Sequence, residues 1–252
     1  MDTSTSIGER ELRANFGNRI GGVLFDKDGT LLDYMASWGA LNLAAAQIAA
    51  AGATAEAARL IALAGGDPDT GHAAPDSLLA AANTAEIAAA WSRAGSPLAV
   101  DVLTRRLDRL FQSGVEAVVP VTDLAALFGR LKRRGLKLGI ASSDSADAVA
   151  ATARRFGLAD LVDFCAGYDS GHGVKPGPGM FAAFCAATGL APAAVAMVGD
   201  NRHDVEMGRA GGAGLIVGVL TGTGTPATLA VADVVLDSIA DLETLLPQAD
   251  GR

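Results

Sequence analysis

The chain has 252 residues, of which 50% are apolar and 5% aromatic, and this length can bury one good core or a core with a smaller satellite domain. Its formal net charge of -8 repels phosphate backbones and anionic lipid, which disfavours nucleic acid and membrane surfaces and favours a small-molecule partner. The two cysteines, Cys165 and Cys185, are too few for a disulfide framework, and no apolar run reaches the roughly 18 residues of a membrane span, so we expect a cytoplasmic protein.

The first elements in chain order are a polar leader and a short apolar strand. Residues 1–19 mix polar and charged side chains without the apolar core of a secretory signal, and we interpret them as a flexible leader. The apolar run at 20–25 predicts a strand that ends in Asp26 and Asp28, spaced i, i+2 around Lys27, followed at once by Gly29. Two like charges about 4 Å apart repel by roughly 4 kcal/mol at an effective dielectric near 20, so this pair needs a cation, a shared proton or a substrate. The strand end therefore indicates catalysis.

A helical insert follows the strand. Residues 34–119 are rich in alanine, space their apolar residues as helices do, and lack strand alternation. Breaks at Gly52, 65–68, 83–84 and 95–97 predict four or five short helices. Because the insert interrupts the chain after the first strand, we expect it to form a cap over the strand ends.

The rest of the chain alternates helices with short apolar strands. We predict helices at 122–134, 146–156, 178–188 and 204–210, and strands at 136–141, 162–166, 195–198 and 215–219. This alternation predicts an α/β fold, a Rossmann-like parallel sheet built from residues 20–33 and 120–252, with the all-helical cap inserted. Ligands of such sheets bind beyond the carboxyl ends of the strands.

Polar residues stand at these strand ends. Ser142 and Ser143 follow the strand at 136–141, Asp200 and Asp204 follow the strand at 195–198, and Lys175 lies between them before a proline. Each also has a structural explanation: a serine can cap a helix, an acidic pair can stabilise a helix N-terminus, and a lysine can lie on the surface.

The order of these residues resembles the motifs of the haloacid dehalogenase-like (HAD) superfamily. Asp26 to Leu31 matches its first motif, Asp-x-Asp-Gly-Thr-Leu, and Ser142, Lys175 and Asp200 stand at its second, third and fourth motifs. The position of the insert resembles that of the helical cap in phosphoglycolate phosphatase-like members.

The resemblance implies a Mg²⁺-dependent phosphatase. Asp26 would be the nucleophile that becomes an aspartyl-phosphate, Asp28 would be the general acid and base, and Ser142 and Lys175 would offset charge on the phosphoryl group. The implied metal ligands are Asp26, Asp28, Asp200 and Asp204, whose oxygens suit Mg²⁺ better than zinc. The implied substrate contacts are Ser143, Gly29, Thr30 and Trp38.

The implied substrate is a small phosphomonoester such as phosphoglycolate. Dehalogenases and phosphonate hydrolases of the superfamily lack an aspartate at the position of Asp28. Related sugar-phosphate mutases carry a histidine where this chain has Trp38, so a mutase or phosphotransferase is the weaker alternative, and a non-catalytic binding module is a third. Five cap arginines are further candidates for substrate contact: Arg59, Arg93, Arg105, Arg106 and Arg109. The chain could be a monomer or a homodimer.

Overall fold

The computed structural model describes residues 20–246, and its centre is a six-stranded parallel sheet in the order β3-β2-β1-β4-β5-β6. The predicted leader, 1–19, lies outside the described residues. The strands are β1 (Gly22–Phe25), β2 (Lys137–Ala141), β3 (Phe164–Ala166), β4 (Val195–Gly199), β5 (Leu215–Val219) and β6 (Val234–Leu236). This sheet confirms the predicted Rossmann-like α/β fold.

The central strands are apolar along their whole length because helices cover both faces of a parallel sheet. Every residue of β1, β4 and β5 is buried. In the register, Phe25 at the end of β1 lies opposite Ile140 on one side and Val198 on the other. The segments that leave β1, β2 and β4 therefore start from the same edge of the sheet, and the order of the strands reverses between β1 and β4, where such folds bind ligands.

Five helices fill the segment between β1 and the next core helix in the described chain. They are α1 (Tyr34–Ala49), α2 (Thr54–Leu63), α3 (Leu78–Ala81), α4 (Thr84–Arg93) and α5 (Val100–Gly114). The breaks between them coincide with the predicted ones. They share an apolar cluster of their own, centred on Trp38, Leu60, Trp91 and Phe111, apart from the cluster that packs on the sheet. This separate core agrees with the predicted cap, whose limits as a domain stay a prediction.

The core helices are α6 (Leu124–Arg133), α7 (Ala146–Arg155), α8 (Gly179–Thr188) and α9 (Arg202–Gly211). All four lie within two residues of the predicted bounds. Their ends have ordinary physical causes, since Asp123 caps α6 and Ser145 caps α7 through side-chain oxygens, and Gly189 ends α8 in the left-handed region. No helix within residues 20–246 is both long and apolar enough to cross a membrane.

Candidate active site

The three strand ends and the loop that carries Lys175 surround a cavity of about 60 Å³ at the switch point of the sheet. Its floor comprises Asp26 after β1, Ser142 after β2, Asp200 and Asp204 after β4, and Lys175. Its other wall comes from the helices of the insert, including Trp38 on α1, Ile87 on α4 and Phe111 on α5. The structure therefore brings together the polar residues that the sequence predicted at separate strand ends.

Three buried carboxylates form the centre of the floor. Asp26, Asp200 and Asp204 each offer an oxygen, and these oxygens lie within 4.8 Å of one another. Burial, joined by the negative charge of Asp26, raises the pKa of Asp204 to about 7 and that of Asp200 well above its usual range. Such a group gains from any positive charge placed among its oxygens, so it could hold a divalent cation.

Lys175 lies within this acidic group. Its Nζ donates to Asp26 Oδ1 at 2.5 Å and to Asp204 Oδ1 at 2.6 Å, and the residue is 6% exposed. Burial alone would lower the pKa of Lys175, but the charges of Asp204 and Asp26 outweigh burial and raise it. Lys175 is thus a charged partner of the predicted nucleophile, and the surface explanation for it is wrong.

Glycines and one backbone amide hold Asp200 in place. The Thr223 N–H, in the segment after β5, donates to Asp200 Oδ2 at 2.8 Å. A Cβ added to Gly29 would stand 2.6 Å from the Asp200 carboxyl carbon, and one added to Gly222 would overlap the same carboxylate. Only glycine lets the two loops approach Asp200 this closely. Their packing fixes the Asp200 carboxylate, whose hard oxygen atoms are of the kind that Mg²⁺ and Ca²⁺ prefer as ligands.

Asp28 belongs to a second charged group, beside the first. Lys27 Nζ lies 2.6 Å from Asp28 Oδ1 and 2.9 Å from Asp144 Oδ2, and Trp38 Nε1 donates to Asp28 Oδ1 at 3.1 Å. The Lys27 ammonium also stands 5.3 Å from the centre of the Trp38 ring, within cation–π range. Burial raises the pKa of Asp28 to about 7 against the opposing charge of Lys27. The Asp28 carboxylate is held by the chain itself, so its predicted role as a metal ligand stays a prediction.

Ser142 is not a helix cap. The cap of α7 is Ser145, whereas Ser142 is 1% exposed and its Oγ accepts from the Asp144 N–H at 3.1 Å. Ser142 lines the cavity floor, and a serine hydroxyl that accepts one hydrogen bond can still donate another to a ligand. The structural explanation for Ser142 is wrong, and its predicted contact with a phosphoryl group stays a prediction.

The short helix α3 closes one side of the cavity through its backbone carbonyls. Asn201 Nδ2 donates to Ala80 O at 3.1 Å, and Ser143 Oγ donates to Ala81 O at 3.4 Å. His203 Nδ1 lies 3.2 Å from the same Ala81 oxygen and donates to it when that nitrogen carries the proton. Sequence reasoning missed Asn201 and His203, although both lie in the segment between Asp200 and Asp204 that it had singled out.

Other predicted contacts have no support from the cavity. Gly29 and Thr30 are absent from its lining in the described chain, so their predicted contact with substrate stays a prediction. The five cap arginines are all exposed, and none lines the cavity within residues 20–246. Two of them are held by acidic neighbours, since Arg59 pairs with Glu56 and Arg105 with Asp101.

Comparisons with known proteins agree with this geometry. The family profile described as haloacid dehalogenase-like hydrolase matches residues 20–212. The phosphoglycolate phosphatase of Salmonella typhimurium is 28% identical over 159 residues, which are 61% of this chain, and the match spans only 62% of that relative's length.

Solved structures share the fold. A predicted phosphoglycolate phosphatase from Haemophilus somnus superposes with a TM-score of 0.67 at 19% identity, covering 90% of this chain and 98% of that one. CbbY from Rhodobacter sphaeroides, in complex with phosphate, has a TM-score of 0.68 at 21% identity, covering 88% of this chain and 96% of its own. At these identities the structural likeness shows the fold alone.

Proposed function

Because the chain belongs to the haloacid dehalogenase-like hydrolase family, we propose that it is a phosphatase that hydrolyses a small phosphomonoester through an aspartyl-phosphate on Asp26. The observation that carries the proposal is the contact of Asp26 Oδ1 with Lys175 Nζ at 2.5 Å on the floor of the cavity. A carboxylate with a buried ammonium beside it is a nucleophile whose ligand can be anionic, because the ammonium offsets the incoming charge.

The two aspartates of the first motif divide the chemistry. One Asp26 oxygen bonds to phosphorus while the bond from phosphorus to the leaving oxygen breaks, and Asp28 gives that oxygen its proton. Asp28 then takes a proton from water as the water oxygen attacks the same phosphorus, which releases inorganic phosphate and free Asp26. Ser142 and Lys175 donate hydrogen bonds to the phosphoryl oxygens in both steps.

Mg²⁺ is the cation of this proposal, because a group of carboxylate oxygens suits a hard divalent ion. Asp26, Asp200 and Asp204 would hold it, and the backbone packing around Asp200 supports that role. When bound, Mg²⁺ supplies positive charge that polarises the phosphoryl oxygens.

Hydrolysis by water is favoured over transfer of the phosphoryl group to a sugar hydroxyl. Trp38 stands where related mutases carry a histidine, and its Nε1 donates to Asp28 at 3.1 Å. An indole N–H can donate but cannot accept or relay a proton, so Trp38 cannot perform the proton transfer of a histidine at this position.

Free thiols at Cys165 and Cys185 are consistent with the reducing cytoplasm as the place of the reaction.

The proposal is tested by the release of inorganic phosphate from a panel of small phosphomonoesters. Phosphoglycolate is included because the curated relatives are named phosphoglycolate phosphatases. We expect release with Mg²⁺, its loss with a chelator, and its return when Mg²⁺ is added in excess. A folded protein that releases no phosphate from any ester would contradict the proposal and favour the non-catalytic module, and release only when a sugar acceptor is present would favour a phosphotransferase.

Removing the ammonium of Lys175 is expected to lower kcat by about a hundredfold or more, the effect of removing one preorganised donor from a charge-stabilising site. Lys175→Met is compared with Lys137→Met, which removes a lysine that is 47% exposed and pairs with Asp163. The Lys137 variant should keep the wild-type rate in the same steady-state assay. Equal kcat values for the two variants would show that the Lys175 ammonium does not contribute to the reaction.

A further inference from the structure

The part of the cavity that faces the helices of the insert, where the leaving group would lie, has mainly apolar walls. Trp38, Leu79, Ile87 and Phe111 line it, all of them buried, and the Trp38 and Phe111 rings meet edge to face with centroids 5.1 Å apart. Aromatic and aliphatic walls of this kind favour apolar groups and strip water from any charged group that enters.

Positive charge is scarce in this space. Within residues 20–246, Lys175 and His203 are the basic side chains of the lining, and both are engaged. Lys175 bridges Asp26 and Asp204 at the phosphoryl end, and the His203 ring faces the Ala81 carbonyl. The cap arginines that could receive a carboxylate stand exposed outside the cavity.

Negative charge, in contrast, is already present. Asp28 and Asp144 both line the cavity, and one ammonium, that of Lys27, serves the two of them. An anionic leaving group would give up its hydration, find no free cation, and lie beside two carboxylates.

Two neutral polar side chains of the wall, Tyr34 and Asn42, donate hydrogen bonds to the chain itself. Tyr34 Oη donates to Leu79 O at 3.3 Å, and Asn42 Nδ2 donates to Tyr34 Oη at 3.3 Å and to Gly71 O at 2.9 Å. These donors are therefore already used by the chain, and a carboxylate, which can only accept hydrogen bonds, would gain none from them.

We propose that the substrate is the phosphate ester of a small uncharged alcohol, and that the cavity discriminates against the carboxylate of phosphoglycolate. This inference rests on the proposed phosphatase function and names its substrate class. It also separates this chain from the activity for which its curated relatives are named.

The test compares three esters whose leaving groups share one branched skeleton. Phosphoglycolate carries a carboxylate, carbamoylmethyl phosphate replaces the carboxylate with a neutral amide, and isobutyl phosphate replaces it with an isopropyl group. We expect kcat/KM for isobutyl phosphate to exceed that for phosphoglycolate by at least about tenfold, with the amide between them, because only the carboxylate brings an unpaired buried charge. A kcat/KM for phosphoglycolate equal to or above that for isobutyl phosphate would overturn the inference.

Acetyl phosphate distinguishes failure of this inference from failure of the proposed function. Mg²⁺-dependent hydrolysis of acetyl phosphate together with a preference for phosphoglycolate would leave the phosphatase standing and refute the uncharged leaving group. No hydrolysis of acetyl phosphate or of the three esters by the folded protein would refute both.

A charge introduced into the wall gives a second, independent readout. Ile87→Lys places an ammonium at the cavity wall, and Ile87→Met is the uncharged control of similar length. The ratio of kcat/KM for phosphoglycolate to that for isobutyl phosphate should rise by about tenfold or more in the lysine variant relative to the methionine variant. Equal ratios in two folded variants would show that the missing cation does not set the preference, and if the lysine variant fails to fold, the wild-type comparison decides.

Discussion

Asp26→Asn should abolish phosphate release while leaving the fold intact. Asparagine has nearly the shape of aspartate, but its amide cannot attack phosphorus, and loss of a nucleophile typically costs at least about a thousandfold in kcat. Asp26 directly follows β1, and its N–H donates to Val198 O at 2.8 Å, a backbone bond that the substitution preserves. Steady-state release with saturating Mg²⁺ measures the effect.

The matched control for Asp26→Asn is Asp123→Asn. Asp123 is exposed and caps α6 by accepting from the Ala126 N–H, a role that asparagine fills equally well. The control should keep the wild-type rate, and both variants should show wild-type circular dichroism. An Asp26 variant that retains a tenth or more of the wild-type rate would exclude the aspartyl-phosphate mechanism.

The fold is predictable from the sequence because its strands and helices differ in length and period. The helix predicted at 122–134 is Leu124–Arg133, and the strand predicted at 215–219 is Leu215–Val219. The strand Val234–Leu236 was missed, since three half-buried residues show no period and only their pairing with β5 defines them. The order of the strands in the sheet was not predicted either, because it depends on pairing between strands that are far apart in the chain.

The floor of the site was predictable for a similar reason. Asp26, Ser142 and Asp200 each follow an apolar strand directly, and the carboxyl ends of parallel strands share one edge. The wall was less predictable. The contacts of Asn201 and His203 with the carbonyls of α3 depend on how the insert packs on the core, which no local pattern of residues encodes.

Lys27 illustrates the limit of reading neighbours in the sequence. Its position between Asp26 and Asp28 suggests that both flanking carboxylates are its partners, but the structure pairs it with Asp28 and with Asp144 after β2. The chain bends at Lys27, just after β1 ends, and Asp26 faces Lys175 while Lys27 pairs with the two other carboxylates. A buried lysine with partners from two strand ends links the acid of the proposed mechanism to the second motif.

Lys27→Met is therefore expected to destabilise the protein strongly. Lys27 is 3% exposed, and methionine keeps its unbranched stem but leaves the half-buried Asp28 and the buried Asp144 without a cation. Removing one partner of a buried ion pair costs about 3–5 kcal/mol, because the remaining charge has lost both water and partner. Urea unfolding at neutral pH measures this loss.

Two further variants separate the charge of Lys27 from its packing. Lys132→Met removes a lysine that is 29% exposed and pairs with Asp163, and it should cost about 1 kcal/mol or less. Adding Asp144→Asn to Lys27→Met removes one of the two stranded carboxylates and should recover part of the lost stability. A double variant no more stable than Lys27→Met would show that lost packing, and not stranded charge, causes the destabilisation.

Lys27→Met also tests whether Lys27 positions Asp28 for proton transfer. An alkoxide leaves poorly unless it is protonated, whereas the acetate of acetyl phosphate leaves with little help from an acid. If Lys27 and Trp38 together hold Asp28 Oδ1 in place, then Lys27→Met lowers kcat for isobutyl phosphate by at least about tenfold more than kcat for acetyl phosphate. An equal loss on both substrates would reduce Lys27 to a structural residue, because general damage to the site does not depend on the leaving group.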